Sequence, residues 1–277
     1  MSAAIGSREF EISVTGDRRV RISVDSPIEQ PAGITSIVFI PGFKGFKDWG
    51  GWPWFCAELA AAGYRVFRMN PSMCGVGSSL DSFDEPERFA RQTLAHDVED
   101  VLAVLNHEEL SHDPAVLMGH SRGGLIAALS ARDHADVKSV ITLGTPENLL
   151  RLSDGEIDQW RATGRREIVN ARTGEVLHQD VEVLEDYFQQ GDRYSAPLAL
   201  KESGVPVLAI HGDGDEAVES AAATRLLAQV SPALSRKVII DGAGHTFGLT
   251  HPFAGPHPDA VKVLEVIQNW LGEDSIR

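Results

Sequence analysis

The segment Gly119-His120-Ser121-Arg122-Gly123-Gly124 joins an apolar run to a helical pattern. Residues 115–118 before it are typical of a buried strand, and residues 125–129 after it are typical of a helix. The segment contains the pattern Gly-x-Ser-x-Gly. So sharp a turn from strand to helix strains the serine backbone, needs glycine where neighbouring chain approaches closely, and leaves the Ser121 hydroxyl exposed. The alternative interpretation is an ordinary tight turn between a strand and a helix.

Short apolar runs bounded by glycine or proline recur on both sides of this segment, with helix-length segments between them. The runs are 36–40, 65–69, 115–118, 139–143, 206–210 and 237–240, and the helical segments are 54–62, 86–107, 122–133, 216–230 and 259–271. Apolar runs of this kind suit strands that are covered on both faces. With the alternating segments 9–14 and 19–24, they predict an α/β fold with a mostly parallel, doubly wound sheet of about eight strands and an N-terminal antiparallel hairpin.

One interval breaks the rhythm of strands and helices. About 60 residues separate the strand that ends near Leu143 from the one that starts near Val205, whereas ordinary connections are far shorter. We therefore predict a single domain, 1–277, that carries a cap or lid insertion over residues 147–201. The alternative is a series of ordinary surface connections.

The charge of the chain limits its partners. It carries 25 Lys and Arg against 40 Asp and Glu, a net charge of −15. Such a surface repels phosphate backbones and anionic headgroups, so we expect a small and more neutral substrate rather than nucleic acid or a membrane. No apolar run resembles a signal peptide or a spanning helix, and the two cysteines, Cys56 and Cys74, are too few for a disulfide scaffold. We expect a cytoplasmic protein with reduced thiols.

A serine hydroxyl is a weak nucleophile at neutral pH, so a catalytic role for Ser121 requires a base and a group that orients the base. Ten histidines are present. His245 is the candidate base, because it lies in the glycine-rich loop 241–247 directly after the last predicted strand. The carboxyl ends of the strands of such a sheet converge on the site.

The orienting acid is expected at another strand end. Asp215 is the candidate, because it follows the strand 206–210 and precedes a predicted helix. Asp213 and Glu147 are alternatives, and Asp215 has the alternative role of a helix N-cap. The order Ser121, Asp215, His245 along the chain is the order of nucleophile, acid and histidine expected for a nucleophile turn of this kind.

Four segments, 40–49, 119–124, 211–218 and 242–247, together resemble the α/β-hydrolase superfamily, and within it the small intracellular serine esterases similar to acyl esterases and dienelactone hydrolase-like proteins. The resemblance covers nearly the whole chain. It implies an oxyanion hole formed by the backbone N–H groups of Phe43 and Arg122. Such proteins often carry His-Gly at the start of the first segment's loop, where this chain has Pro41-Gly42.

Aromatic and cationic residues surround the first of these segments. Trp49, Trp52 and Trp54 are candidates for the wall of an apolar substrate pocket, and the alternative is packing of the first helix on the sheet. Lys44 and Lys47 are candidates to attract a substrate carboxylate, or are solvated loop lysines. No histidine or acid is paired with Cys74 in the sequence, so a catalytic thiol is not expected.

These patterns predict a serine hydrolase that cleaves carboxylic esters of small or medium acyl or aryl acids through an acyl-enzyme. The chemistry requires no cofactor, and no Cys/His set has the spacing of a metal site. Thioester or amide cleavage with the same triad is an alternative, as is a non-catalytic small-molecule-binding protein of the same fold. Cofactor-free lyase or oxygenase chemistry is a third. The sequence leaves open whether the chain forms a homodimer.

Overall fold

The protein is described by a computed structural model that covers residues 4–29, 34–110, 113–170 and 173–273. The strands are β1 (Ile5–Ser13), β2 (Arg19–Pro27), β3 (Ser36–Ile40), β4 (Arg65–Asn70), β5 (Ala115–His120), β6 (Val137–Leu143), β7 (Arg165–Val169), β8 (Val176–Asp180), β9 (Val207–Gly212) and β10 (Ser235–Ile240). The α-helices are α1 (Trp52–Ala61), α2 (Pro86–Ala90), α3 (Leu94–Leu105), α4 (Arg122–Asp133), α5 (Asp154–Thr163), α6 (Val181–Gln190), α7 (Ala196–Ser203), α8 (Ala221–Leu226) and α9 (Pro258–Leu271).

Within these ranges eight strands form one sheet in the order β1-β2-β4-β3-β5-β6-β9-β10. Strand β2 pairs antiparallel with β1 and with β4, and the remaining pairs are parallel. Strands β7 and β8 form a separate antiparallel pair. The predicted fold class, a mostly parallel sheet of about eight strands with an N-terminal hairpin, is confirmed.

The two faces of the sheet are buried in two apolar clusters. Along β3 and β5, Val38 and Leu117 belong to the first cluster, whereas their neighbours Ile37 and Met118 belong to the second. Helices α3, α4 and α7 cover the first face, and α1 and α9 cover the second. Because side chains alternate between two covered faces, the middle residues of these strands are apolar on both faces.

Two predicted helices are shorter than the sequence pattern suggested. The segment 86–107 forms α2 and α3, because Thr93 begins α3 as an N-cap that accepts the backbone N–H of His96. The segment 216–230 is helical only in α8, which begins after Ser220. The residues before it form a loop in which Asp215 accepts the backbone N–H groups of Ala217 and Val218.

The interval between β6 and β9 contains α5, β7, β8, α6 and α7. Helices α5 and α6 bury a small cluster of their own, which includes Trp160 and Leu184. Helix α7 differs, because its Ala199 and Leu200 belong to the main cluster beneath α4. Tyr194 belongs to the main cluster as well, so the part that packs apart from the sheet ends before Tyr194. In the described part of the chain no helix has the length and apolar character needed to span a membrane.

Candidate active site

Ser121 occupies a strained turn between β5 and α4. Its backbone has φ 52° and ψ −120°, in the region that residues with a Cβ rarely adopt. The Ser121 N–H donates to the Leu143 carbonyl at the end of β6, 2.8 Å away, and so ties the turn to the neighbouring strand. The predicted strand-turn-helix context of Gly-x-Ser-x-Gly is therefore present.

Close backbone packing explains the two glycines that flank Ser121. A Cβ added at Gly119 would lie 2.1 Å from the Gly123 carbonyl oxygen, and one added at Gly123 would lie 2.2 Å from the Ile40 carbonyl oxygen. Both neighbours are backbone atoms that a side chain cannot displace cheaply. The start of α4 consequently lies directly against the end of β3, where the loop with Phe43 begins.

Asp215 and His245 are joined by a hydrogen bond at the same edge of the sheet. His245 Nδ1 lies 2.7 Å from Asp215 Oδ2, and the Asp215 side chain is fully buried. Because the carboxylate only accepts, Nδ1 carries the proton of the neutral imidazole, and Nε2 is left as an acceptor. The other carboxylates that the sequence offered bond elsewhere: Asp213 accepts the Gly242 N–H, and Glu147 pairs with Arg225.

Asp215 is held in its ionised form by several donors. Burial alone raises the pKa of this carboxyl, but hydrogen bonds from His245 and from the backbone N–H groups of Val218 and Ala217 outweigh burial and lower it below its ordinary value. Asp215 does not cap α8, which begins six residues further on. In the described residues no hydrogen bond joins the Ser121 hydroxyl to His245; such bonds are often long before substrate binds.

Two buried histidines, neither given a role from the sequence, support this pair. His211 Nε2 donates to the Val218 carbonyl over 2.9 Å and lies 3.2 Å from Asp215 Oδ2. His120 Nε2 donates to the His245 carbonyl over 3.0 Å. The signal for both was a histidine at the end of an apolar strand, since a polar group buried there needs a hydrogen-bond partner.

His120 is neutral near physiological pH. Burial lowers its pKa to about 3, and the nearby His245 acts in the same direction. The two rings lie 4.8 Å apart between centroids. A neutral ring at this position adds no positive charge beside His245 while it fixes the backbone of the His245 loop.

The loop after β3 lies close to Ser121. A Cβ added at Gly42 would be 3.1 Å from the Ser121 Cβ, so the next residue, Phe43, begins beside the hydroxyl. Arg122 is the first residue of α4, where backbone N–H groups have no partner within the helix. Its side chain points away into a buried ion pair, in which Nη2 lies 2.6 Å from Asp97 Oδ2. This buried ion pair fixes the position of Arg122, and with it the backbone N–H that follows Ser121.

A cavity of about 230 Å³ opens beside Ser121. Its wall combines Phe43 with residues from between β6 and β9, among them Leu150, Trp160 and Tyr187. The predicted pocket residues Trp49, Trp52 and Trp54 do not line this cavity. Trp52 is buried against Phe39 of the sheet and next to His120, and Trp54 stacks on Phe253. The alternative for the tryptophans, packing of α1 on the sheet, describes Trp52.

The loop lysines and the cysteines are engaged elsewhere. Lys47 is buried and bonds to Glu9, Ser23 and Asp48, and Lys44 donates to the Val169 carbonyl of β7. Burial raises the pKa of the Cys74 thiol to about 12, so it carries no thiolate for nucleophilic attack near neutral pH. Across the ranges that are described, no group of three or more His, Cys, Asp and Glu residues is arranged to hold a metal ion.

Comparisons with known proteins agree with this fold. A sequence model of the alpha/beta hydrolase fold matches residues 35–184. Est1E from Butyrivibrio proteoclasticus is similar in structure, with a TM-score of 0.70 and 21% identity over 95% of this chain and 97% of that one. A dienelactone hydrolase from Anabaena variabilis has a TM-score of 0.64 and 16% identity over 96% and 97%.

An esterase domain from Rhodothermus marinus is also similar, with a TM-score of 0.65 and 20% identity over 96% of this chain and 98% of that one. A sequence search of curated proteins finds no match. The structural similarity at these identities concerns the fold, and the sequence model covers more than half of the chain. On these grounds the chain belongs to the α/β hydrolase fold family.

Proposed function

We propose that the protein is a serine hydrolase that cleaves carboxylic esters of small or medium acyl or aryl acids. Ser121 is the nucleophile, His245 the general base and acid, and Asp215 the group that orients His245. The backbone N–H groups of Phe43 and Arg122 form the oxyanion hole. The residues between β6 and β9 act as a cap over the acyl group.

One observation carries the proposal: the buried hydrogen bond of 2.7 Å between His245 Nδ1 and Asp215 Oδ2, at the sheet edge where the strained Ser121 lies. An ordinary tight turn has no need of a buried, ionised carboxylate that directs a histidine toward it. The combination of nucleophile, base and orienting acid is the arrangement that activates a serine.

In the first half of the reaction, Ser121 Oγ attacks the ester carbonyl and His245 Nε2 takes the hydroxyl proton. The resulting imidazolium is stabilised by the Asp215 carboxylate. Negative charge develops on the carbonyl oxygen, where each backbone N–H of the oxyanion hole contributes on the order of 3 kcal/mol to the transition state. His245 then gives its proton to the leaving alcohol, and the acyl group stays on Ser121.

In the second half, water attacks the acyl-enzyme with His245 as the base, and the free acid leaves. The roles of Asp215 and of the oxyanion hole are repeated. Because His120 stays neutral, it does not compete for the proton or repel the imidazolium. His211 Nε2 donates to the Val218 carbonyl and lies 3.2 Å from Asp215 Oδ2, so it supports the loop whose backbone N–H groups hold the carboxylate.

The cavity beside Ser121 supports an acyl group of limited size. An apolar cavity of about 150 Å³ holds a benzene molecule, so about 230 Å³ accepts roughly nine non-hydrogen atoms. One structure of the similar protein Est1E has ferulic acid bound to that protein.

The residues between β6 and β9 are proposed as a cap over the acyl group. If they act as one, Leu150→Ala widens the acyl site and moves the preferred chain length upward. An unchanged preference would contradict this role.

Labelling with a fluorophosphonate probe tests the central assignment. We expect modification of Ser121 in the folded protein, identified by peptide mapping, and complete loss of labelling and ester turnover in Ser121→Ala. Unlabelled Ser121, or ester turnover retained by Ser121→Ala, would refute the serine mechanism.

The leaving group is tested separately. Turnover of aryl esters is compared with turnover of acyl thioesters and peptides that carry the same acyl group. We expect the esters to be cleaved fastest. A higher kcat/KM for a thioester or an amide would change the substrate class while leaving the triad in place.

A further inference from the structure

The cavity beside Ser121 carries positive charge although the chain has a net charge of −15. Arg151 and Arg166 both line it, and in the described residues no Asp or Glu does. A third arginine, Arg122, also lines it, but its guanidinium is already neutralised by Asp97. Two cationic side chains therefore face this cavity with no acid in its wall.

Neither guanidinium has a carboxylate partner. Most arginines of the described chain lie within 4.0 Å of a carboxylate, for example Arg65, Arg161 and Arg225. For Arg151 and Arg166 no such pair exists among the described residues. Arg151 Nη1 donates to the Ala217 carbonyl over 2.7 Å, and the Arg166 guanidinium lies 5.6 Å from the centre of the Trp160 ring.

The two carboxylates that interact electrostatically with these arginines are hydrogen-bonded to other groups. Burial opposes the lowering of the Glu147 pKa, which comes mainly from the hydrogen bond to Arg225 and only to a lesser degree from Arg151. Arg166 contributes to the lowered pKa of Glu156, whose largest causes are hydrogen bonds from Ser153, because Glu156 closes the N-terminal capping box of α5. Among the described residues no other hydrogen bond engages either guanidinium, so their remaining N–H groups are available to an anion.

Both arginines lie where an acyl group bound in the cavity would contact them. Arg151 is anchored to Ala217, whose own N–H is bonded to Asp215, so Arg151 lies next to the loop that carries the acid of the site. Arg166 is half-buried on β7 and is held above Trp160, part of the apolar wall. An extended acyl chain with its carbonyl at Ser121 would pass along this wall.

We propose that the cavity selects acyl groups that carry a carboxylate of their own, so that the preferred substrates are monoesters of short dicarboxylic acids. The free carboxylate pairs with Arg151 and Arg166, and the ester carbonyl lies at Ser121. The inference rests on the proposed serine hydrolase function and specifies its substrate class. The net charge had suggested a neutral substrate, but an acyl group responds to the charges that line its cavity rather than to the sum over the surface.

The size of the cavity narrows the choice of acid. Roughly nine non-hydrogen atoms fit in about 230 Å³, which corresponds to an adipoyl group with its free carboxylate. A guanidinium binds a carboxylate through short, charge-assisted hydrogen bonds, which are about twice as strong as neutral ones. Of the two arginines, Arg166 is half-buried and Arg151 is exposed. Neutral acyl groups of equal length leave the guanidiniums unpaired in the same cavity.

The test compares 4-nitrophenyl monoesters of dicarboxylic acids, from succinate to suberate, with the 4-nitrophenyl esters of the matching dicarboxylate monomethyl esters. The measured quantity is the ratio of kcat/KM for the charged and the neutral member of each pair. We expect the ratio to exceed about ten for the best-fitting length, and to fall as salt screens the charges. A ratio near one at every length would overturn the inference.

Arginine variants locate the effect. Arg151→Met and Arg166→Met keep an apolar stem and remove the charge, and each should lower the ratio about tenfold or more. Arg161→Met is the matched control, because Arg161 belongs to α5, pairs with Glu185 and does not line the cavity. The ratio is insensitive to damage of the triad, since both esters use it. Equal losses on both esters in the cavity variants would contradict the proposal.

Binding without turnover separates failure of the inference from failure of the proposed function. Calorimetry on Ser121→Ala with monomethyl adipate and with dimethyl adipate should show tighter binding of monomethyl adipate, which carries the free carboxylate, and this preference should be lost in the double variant that also carries Arg166→Met. If Ser121 is labelled by fluorophosphonate but monomethyl adipate binds no tighter than dimethyl adipate, the inference fails alone. If Ser121 is not labelled, the proposed function fails, and the binding comparison still decides whether the cavity prefers dicarboxylates.

Discussion

The substitution Asp215→Asn tests the proposed site most sharply, because it removes one charge and preserves the shape of the side chain. In the protein, Asp215 Oδ1 accepts the N–H groups of Ala217 and Val218, and Oδ2 faces His245 Nδ1 and His211 Nε2. The asparagine must keep its oxygen toward the two backbone donors. Its NH₂ group then faces His245.

This geometry predicts that His245 adopts the tautomer that cannot accept the Ser121 proton. An NH₂ group donates, so His245 Nδ1 must accept, and the imidazole proton moves to Nε2. Nε2 is the atom that has to accept the Ser121 proton. The same change in a serine protease triad lowers kcat by about 10⁴, which corresponds to about 5 kcal/mol in the barrier, and we expect a loss of that order.

The assay measures kcat and KM on a 4-nitrophenyl ester, with a thermal melt to verify folding. Asp213→Asn is the matched control, since Asp213 lies in the same loop, is exposed and accepts only the Gly242 N–H in the described structure. Glu147→Gln serves as a second control, because Glu147 pairs with Arg225. We expect both controls to stay within about tenfold of the parent.

Two results would refute the reasoning. One is an Asp215→Asn enzyme that stays within tenfold of the parent in kcat. The other is an Asp213→Asn or Glu147→Gln enzyme that loses as much activity as Asp215→Asn. Either would show that the hydrogen bond to Asp215 does not set the tautomer on which turnover depends.

Three further predictions concern neighbouring groups. His211→Leu should lower kcat roughly tenfold or more with KM unchanged, and His211→Gln, which still offers an N–H to the Val218 carbonyl, should restore most of it; equal losses would argue for a packing role only. The pKa of His120 is lowered to about 3 when folded and is about 6.5 when unfolded, so the free energy of unfolding should fall as pH drops through that window, by up to about 1.4 kcal/mol per unit. Urea titrations should give a shallower pH slope for His120→Asn, and an unchanged slope would contradict the assignment. Burial raises the pKa of Cys56 and Cys74 to about 12, so iodoacetamide should leave the folded protein unmodified and active; rapid inactivation by alkylation would contradict this.

Much of the fold could be predicted because its signals are local in the chain. The runs 36–40 and 115–118 were correctly identified as strands, since they are apolar except at Ser36 and are followed by proline or glycine. The helix predicted over 216–230 was largely wrong. The reason is that Asp215 Oδ1 accepts the backbone N–H groups of Ala217 and Val218, which holds these residues in a turn. Hydrophobic periodicity gives no sign of such a side-chain to backbone bond.

The residues of the candidate site differed in how far the sequence alone could identify them. Ser121 and His245 stood in glycine-rich segments at strand ends, where few other residues offered the same chemistry. Three carboxylates competed for the acid, and the sequence left them open. The bond between Asp215 and His245 depends on the parallel pairing of β9 and β10, which brings residues 30 positions apart into contact.

The sequence by itself determined the strands of the main sheet and the serine turn, because hydrophobic period and close glycine packing act over a few residues. The tertiary structure alone decided which residues line the cavity. The aromatic cluster near Trp52 suggested a pocket, yet Trp52 packs into the core, while Trp160, Arg151 and Arg166 reach the cavity from between β6 and β9. Which of these side chains reach the cavity depends on how the long insertion folds over the sheet, and local sequence patterns do not predict that arrangement.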